Sequence, residues 1–501
     1  MTMSCRVRSV PRGAPAVLLL ASALALAGCA SSRGLQPQLA PADADGLSSA
    51  RSLGAAPTGD GFSAAAFPAA DWWRALGDPQ LDALIAEALR DSPSLAAADA
   101  RTRAAQAQAG SFDAERRPTL GASARYTGVQ LPETLAPAPL GGELNASTVL
   151  MLQFAWAPDL WGGQRARYEA AVGQAQATAV DAQAARLTVS ANVAHAYIAL
   201  AQAFDAHAVA GREQDRASRL MRLSRQRVDA GLDNQLQLRN AETTIGIARQ
   251  QQQAAQQRID ALRNALAALL GKGPDRGLDI APPRLLATPS PAVPAVLPSE
   301  LLGHRADVVA ARWRVEAAGR GIDAATAAFR PSVNLSALVG LASGGLSNLF
   351  GNEALLGLGG PALSLPIFDG GRLRSGLAQR DADYDLAVAG YNQTLVGALR
   401  EVTDAVQAAR ALDAQLVTVD AAVSAADGAL SLARTRYDAG LGTQLDVLAA
   451  QRPLFQLEQQ RASLRALRLD AAVDLDRALG GGLTPIAPPS STHDLARAIT
   501  P

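Results

Sequence analysis

The sequence predicts a mixed fold: long helices that form a tube, and a transmembrane antiparallel β-barrel to which each chain supplies only four strands. Three observations predict it. Segments of about ten residues alternate apolar and polar side chains, the length and period of tilted membrane strands. Two intervals of 66 or 67 residues contain no proline. The whole pattern is written twice, about 209 residues apart.

Composition sets the outer limits. Of 501 residues 49% are hydrophobic, 18% charged and 4% aromatic. Lys+Arg and Asp+Glu are equal at 46, so no basic field recruits nucleic acid. Lys272 is the single lysine. Two cysteines exclude a disulfide scaffold. Past the first thirty residues no run reaches the ~18 continuous apolar residues of a spanning helix, which excludes an ordinary inner-membrane transporter.

Residues 1–28 read as a lipoprotein signal peptide. Arg6, Arg8 and Arg12 form a basic start, Ala14 to Ala27 a short apolar core, and Leu26-Ala27-Gly28-Cys29 resembles the bacterial lipobox. Cleavage before Cys29 exposes a thiol and an amine that take three acyl chains, enough for stable anchoring in outer-membrane lipid. Ala30 follows, not an Asp associated with inner-membrane retention. The signal removes three arginines and no acids, taking the 46:46 balance to 43:46. Residues 29–77 are then a lipidated N-terminal segment.

The duplication defines a first repeat over 78–280 and a second over 300–483. Arg227-Val-Asp-Ala-Gly-Leu returns as Arg436-Tyr-Asp-Ala-Gly-Leu, Leu270-Gly271 as Leu479-Gly480, Pro158 with Gly162-Gly163 as Pro366 with Gly370-Gly371, and Arg117-Pro118 as Arg330-Pro331. Each repeat opens with an Ala-rich helix, about Asp78 to Ala114 and Glu300 to Ala328. Strands follow: Leu120, Ala122, Ala124 and Tyr126; Thr148, Leu150, Leu152, Phe154 and Trp156; Val333, Leu335, Ala337, Val339 and Leu341; and a vaguer Leu355 to Leu365. Proline-free helices over Gln164–Asp229 and Arg372–Asp438 would each span about 100 Å. After Gly231 and Gly440 a second helix returns about 40 residues, with a coiled-coil seam at Ile259, Leu262, Leu266 and Leu269. The Pro-rich segment 281–299 is expected to pack at the equator, and the tail 484–501 to be poorly ordered.

Four strands cannot close a barrel, and open edges in lipid are forbidden. Other copies of the chain must complete the sheet, with cyclic symmetry the default. Spacing alone does not fix their number.

The chain resembles the TolC-like outer-membrane factor family, and within it the NodT-like lipoprotein branch that serves resistance–nodulation–division efflux systems. The residues carrying the likeness are Asp71-Trp72-Trp73 with Leu76, Asp78, Leu81 and Leu84; Leu297-Pro298-Ser299 with Leu301-Leu302, Arg305 and Asp307; Pro366-Ile367-Phe368-Asp369-Gly370-Gly371-Arg372; and Arg436-Tyr437 with Gly440 and Leu445-Asp446-Val447-Leu448. The resemblance implies a homotrimer with a twelve-stranded barrel, a long α-helical barrel and an α/β equatorial region between them. It further implies passive efflux of drugs or other small molecules, a periplasmic adaptor (membrane fusion) protein and an inner-membrane resistance–nodulation–division pump, with no cofactor.

Site residues follow from that resemblance. Gly231-Leu232 and Gly440-Leu441 match helix–turn–helix tips that adaptor hairpins engage, although glycine also simply ends helices. Asp446 matches the position lining the periplasmic aperture, where three carboxylates would hold cations. Gln237 stands where some members have an acid in the first repeat and Ala449 where others place a second acid, so the expectation is an aperture less charged than usual or gated by different contacts. Arg227 with Asp229 and Arg436 with Asp438 are candidate salt bridges between neighbouring tips. Enzymatic readings have little to stand on: His195, His207, His304 and His493 lack metal-ligand spacing, and Gly271-Lys272-Gly273 lacks the rest of a phosphate loop. A type I protein-secretion conduit and a non-conducting envelope rod are the alternatives.

Overall fold

A computed structural model describes residues 32–43, 46–47, 52, 67–132, 134–135, 142, 144–284 and 301–483. The signal peptide, Cys29, residues 285–300 and the tail 484–501 lie outside the described residues.

Each half of the chain runs through the same elements. The first holds α1 (Pro79–Asp91), α2 (Pro93–Glu115), β1 (Thr119–Gln130), β2 (Leu144–Trp156), α3 (Gly163–Asp229) and α4 (Gln235–Leu269). The second holds a single turn at Leu301–His304, then α5 (Ala306–Ala327), β3 (Ser332–Ser343), β4 (Leu355–Ser364), α6 (Arg372–Asp438) and α7 (Gln444–Ala478). The expected opening helices are broken. Proline disfavours helix in the residue before it, so Ser92 is extended at ψ 123° and separates α1 from α2. Arg305, at ψ 120°, breaks the second copy at the equivalent place. The return helices are 35 residues each, shorter than expected.

The long helices α3 and α6, 67 residues each, run the full height. The shorter ones fill half of it. Above the middle, α2 and α5 flank α3, and α6 lies beyond α5. Arg186 reaches Asp99 on α2 at 3.3 Å, Arg314 on α5 pairs with Asp181, and Gly173 leaves space for Ala317. Below the middle, α4 and α7 flank α3, and α6 packs on α7. The chain is therefore four helices wide at both levels. Charge pairs stitch the lower layer. Asp413 and Asp420 on α6 meet Arg468 and Arg461 on α7 at 2.7 and 3.7 Å, seven-residue steps running antiparallel. An 18-residue window of α6 is apolar enough to cross a membrane by composition, yet is only 17% buried. Those ion pairs place charge along the same helix, so it belongs in water.

The main core sits at the equator. There Leu81, Leu84, Ile85 and Ala88 of α1 pack on Val193, Tyr197, Ile198 and Leu200 of α3 and on Ile259, Leu262 and Leu266 of α4. The Tyr197 hydroxyl donates to Asp78 at 2.6 Å, and Asp78 also accepts the Arg284 amide at 3.2 Å. The start of the inter-repeat segment, 281–284, is thus docked at the equator. The spacing of α1 is helical, and among the described residues the expected α/β region carries helices and loops but no strand.

Both return helices end in the same glycine C-cap. Gly271 (φ 72°) and Gly480 (φ 99°) adopt the left-handed conformation. A Cβ would lie 2.6 Å from the Asp91 carbonyl oxygen in the first case and 2.0 Å from that of His304 in the second. Each glycine lets the end of a return helix press on the break before α2 or α5.

His195 on α3 ties the halves together, with Nδ1 2.7 Å from Asp470 and Nε2 3.4 Å from Asp474 on α7. Burial alone lowers its pKa, but the hydrogen bonds and charges of the two carboxylates outweigh this and raise it to about 9. A raised histidine stabilises the fold fully below its unfolded value near 6.5 and loses that contribution as pH rises through about 9. The thermal midpoint of the purified protein should fall between pH 7 and 10, and His195→Gln should flatten that dependence. Gly480→Ala should destabilise by about 1–3 kcal/mol through backbone strain alone, read as a lower midpoint at every pH.

Candidate functional site

The strands pair antiparallel in the order β1-β2-β3-β4. Directly opposed residues share a face, so the register sorts the side chains. Leu120, Ala122, Ala124 and Tyr126 of β1 stand opposite Phe154, Leu152, Leu150 and Thr148 of β2. Leu150, Leu152, Phe154 and Trp156 stand opposite Leu341, Val339, Ala337 and Leu335 of β3. Leu341, Val339, Ala337, Leu335 and Val333 then meet Leu355, Gly357, Gly359, Pro361 and Leu363 of β4. One face is thus mainly apolar across all four strands, with Thr148 and Ser343 paired at its outer end. The other carries Ser123, Arg125, Thr127, Ser147, Gln153, Asn334 and Ser336. Leu120, Leu150, Leu152, Val339, Leu355 and Leu363 are all exposed. At 10 to 13 residues, the strands match the apolar band of an outer-membrane barrel.

Aromatic groups mark the helical end of the sheet. The Trp156 indole donates to the Arg116 carbonyl at 3.3 Å and that of Trp161 to Pro331 at 2.6 Å. Arg330 lies 5.0 Å above the Trp161 ring. Tryptophan at this height suits the membrane–water boundary. Asp159 and Asp369 then accept amides of the first turns of α3 and α6, at 2.7 Å from Arg165 and 2.8 Å from Leu373.

At the far end, each long helix closes in a glycine turn. Leu232 N–H donates to Arg227 O at 2.8 Å and Gly231 N–H to Val228 O at 2.9 Å. The second tip repeats this with Leu441 to Arg436 at 2.8 Å and Gly440 to Tyr437 at 2.9 Å. Both glycines have φ near +70°, so the helix must stop there. Leu232 and Leu441 point into solvent at 68% and 72% exposure, which leaves an apolar knob on each tip.

The expected tip residues are regrouped within the chain. Arg227 bonds Asp233 at 3.3 Å and the Leu232 carbonyl at 3.4 Å rather than Asp229, because residues two apart on a helix face different ways. Arg436 donates to the Leu441 carbonyl at 3.3 Å rather than to Asp438. Each arginine clamps its own turn. Gln237 and Asp446 both occupy the third position of a return helix and are exposed. The Asp446 carboxylate accepts the Thr443 amide at 2.8 Å and its hydroxyl at 2.9 Å, and the Thr443 hydroxyl caps the Asp446 amide. The hydrogen bonds from Thr443 hold Asp446 below the usual carboxylate range. Asn234 caps the Gln237 amide in the first copy at 3.2 Å, without the reciprocal bond. Two participants, Asp233 and Thr443, are not among the sequence-derived site residues. Thr443-x-x-Asp446 is a capping signature in its own right, whereas Asp233 carries no local pattern.

A sheet with one predominantly apolar face, continuous with charged helices about 100 Å long, defines an outer-membrane channel subunit. Comparison with known proteins agrees. Residues 84–272 and 297–481 each match the outer membrane efflux protein family. The fusaric acid resistance protein FusA of Burkholderia cepacia is 38% identical, over 74% of this chain and 70% of its own. Outer membrane protein OprJ of Pseudomonas aeruginosa is 33% identical, over 85% and 91%. The crystal structure of the outer membrane protein VceC from Vibrio cholerae superposes with a TM-score of 0.74 at 37% identity, covering 83% of this chain and all of that one. The chain belongs to the outer membrane efflux protein family. Its place is the outer membrane, with the helices in the periplasm.

Thr443→Ala should speed amide hydrogen exchange at residues 443–447 while leaving 234–238 unchanged. Acidification should lower the protection factors of the same amides in wild type, measured against the slower intrinsic exchange at low pH, once pH falls through the depressed pKa of Asp446.

Proposed function

We propose that three copies of the chain form a passive conduit for small molecules, the outer-membrane component of a tripartite efflux pump. One observation carries the reading: β1 and β4 are the outer strands of the sheet, each with one edge unpaired in a single chain. In lipid such edges must be paired, and β4 of one copy meeting β1 of the next satisfies them around a ring. Three copies give twelve strands and, at both helical levels, twelve helices. The apolar face then looks to lipid and the polar face to the lumen.

The N-terminal segment supports an anchor at Cys29. The described residues 33–43 and Ser52 meet α6 at successive points from its membrane end. The Arg33 carbonyl accepts from Arg374, Gln38 and Leu39 amides donate to Asp385 at 2.9 Å, Ala42 donates to Asn392 at 2.7 Å, and Gln407 donates to the Ser52 carbonyl at 3.0 Å. Cys29 is four residues before Arg33, within about 14 Å of it along an extended chain. Acyl chains on Cys29 would thus lie within reach of the barrel.

The tips are the periplasmic entrance. Exposed Leu232 and Leu441, each on a rigid glycine turn, suit an adaptor hairpin that bridges to an inner-membrane resistance–nodulation–division pump. Asp446 lines the aperture with its capped, ionised carboxylate, and Gln237 is its neutral counterpart. Relatives are named for fusaric acid resistance, pyoverdine export and multidrug resistance, which favours small organic cargo over protein.

Purified protein in a planar bilayer should give channels, and native mass measurement should give three chains per particle. Asp446→Ala should enlarge conductance or reduce cation preference. Folded protein that never conducts, with or without Asp446, would favour a rod over a conduit. Cys29→Ser should abolish palmitate incorporation.

A further inference from the structure

We propose that Arg125 makes the outer, membrane-embedded part of the lumen an anion-attracting site, a second electrostatic filter separate from the tips. The inference rests on the conduit reading above. Across β1–β4, Arg125 is the one Asp, Glu, Lys or Arg in the sequence of the strands. It is the seventh of the twelve residues of β1, near mid-depth. The register places it opposite Val149, on the face of Ser123, Thr127, Ser147 and Gln153, and not on that of Leu120, Leu150 and Leu152. A guanidinium at mid-depth on the lipid face is strongly disfavoured, so burial energetics and register agree on the lumen.

Nothing on that face neutralises it. The flanking strand positions are hydroxyl, amide or apolar residues, and no ion pair to Arg125 occurs among the described residues. At the base of the sheet the carboxylate of Asp113 is already shared by Arg116 and Arg117. A ring closed from three copies would therefore carry three unpaired guanidiniums in a low-dielectric wall, an arrangement that selects anions. Asp446 is about 100 Å away along the helices, some ten screening lengths at 0.1 M salt, so the two rings act independently. The class of solute favoured at the outer ring is the small organic anion, a carboxylate above all.

The test is block of single-channel current at 0.1 M KCl by polyvalent ions added on the barrel side. Citrate should block wild type, and in an Asp446→Ala background, which removes the cation ring at the tips, citrate should still block while spermine at the same concentration should not. Arg125→Lys should keep the citrate block, while Arg125→Gln should weaken it at least fivefold and shift the reversal potential in a salt gradient towards cations. Channels that form but show equal citrate block in wild type and Arg125→Gln, or wild-type channels blocked by spermine and not citrate, overturn the proposal. Folded trimers that give no channels overturn the conduit reading and this inference with it. The wild-type comparison needs no variant, so a folding defect in Arg125→Gln does not shelter the idea.

Discussion

An unpaired strand edge in hydrocarbon is the constraint on which the rest of this molecule depends. Each backbone group left without a partner there costs several kcal/mol, and the chain presents two such edges, on β1 and on β4. The helices below carry the same incompleteness in milder form. Val417 and Leu432 on α6 and Leu236 and Ile247 on α4, the two helices at the sides of the lower layer, are all exposed. The proposed ring would satisfy both, the strand hydrogen bonds setting the register between copies and the apolar helix flanks following it.

Duplication explains how one chain builds a structure of nearly constant width. The two halves share a break before α2 and α5, a glycine turn at each tip and a left-handed glycine at the end of each return helix. They are not copies in their chemistry. Asn234 caps α4 alone, while Thr443 and Asp446 cap α7 reciprocally. The equator of the first half is held by Tyr197 and Asp78, that of the second by buried Arg305 between Asp307 and Glu401. The backbone is periodic and the polar fastening is not.

Much of this was legible in the sequence for physical reasons. Period-two alternation at Leu120–Tyr126 and Thr148–Trp156 can only be a two-faced strand, and 67 residues without proline between glycine turns can only be one helix. The opening helices were misjudged, because Ala-rich composition hides a break that hangs on Pro93 in one copy and on Arg305 in the other. Pro453, inside α7, was equally silent in the pattern. At the tips the glycines were legible from the repeated Asp-Ala-Gly-Leu. The partner of Arg227 was not, since which of Asp229 and Asp233 it meets depends on the path of the turn. The same alternation put Arg125 on the polar face of β1, but which residues stand beside it needed the register, which no single strand reveals.

The two kinds of helix imply a mechanical division. The long helices α3 and α6 pass the equator unbroken, so they behave as fixed staves. The return helices α4 and α7 end at the equator, where Gly271 and Gly480 sit against backbone with no space even for a methyl group. Such a joint is a fulcrum without slack, and the far ends of α4 and α7 are levers about 50 Å long. A small tilt there becomes a wide swing at the tips. Pro453, lacking the amide that would brace its turn, gives the second lever an elbow that the first does not have, so the two levers would not bend alike.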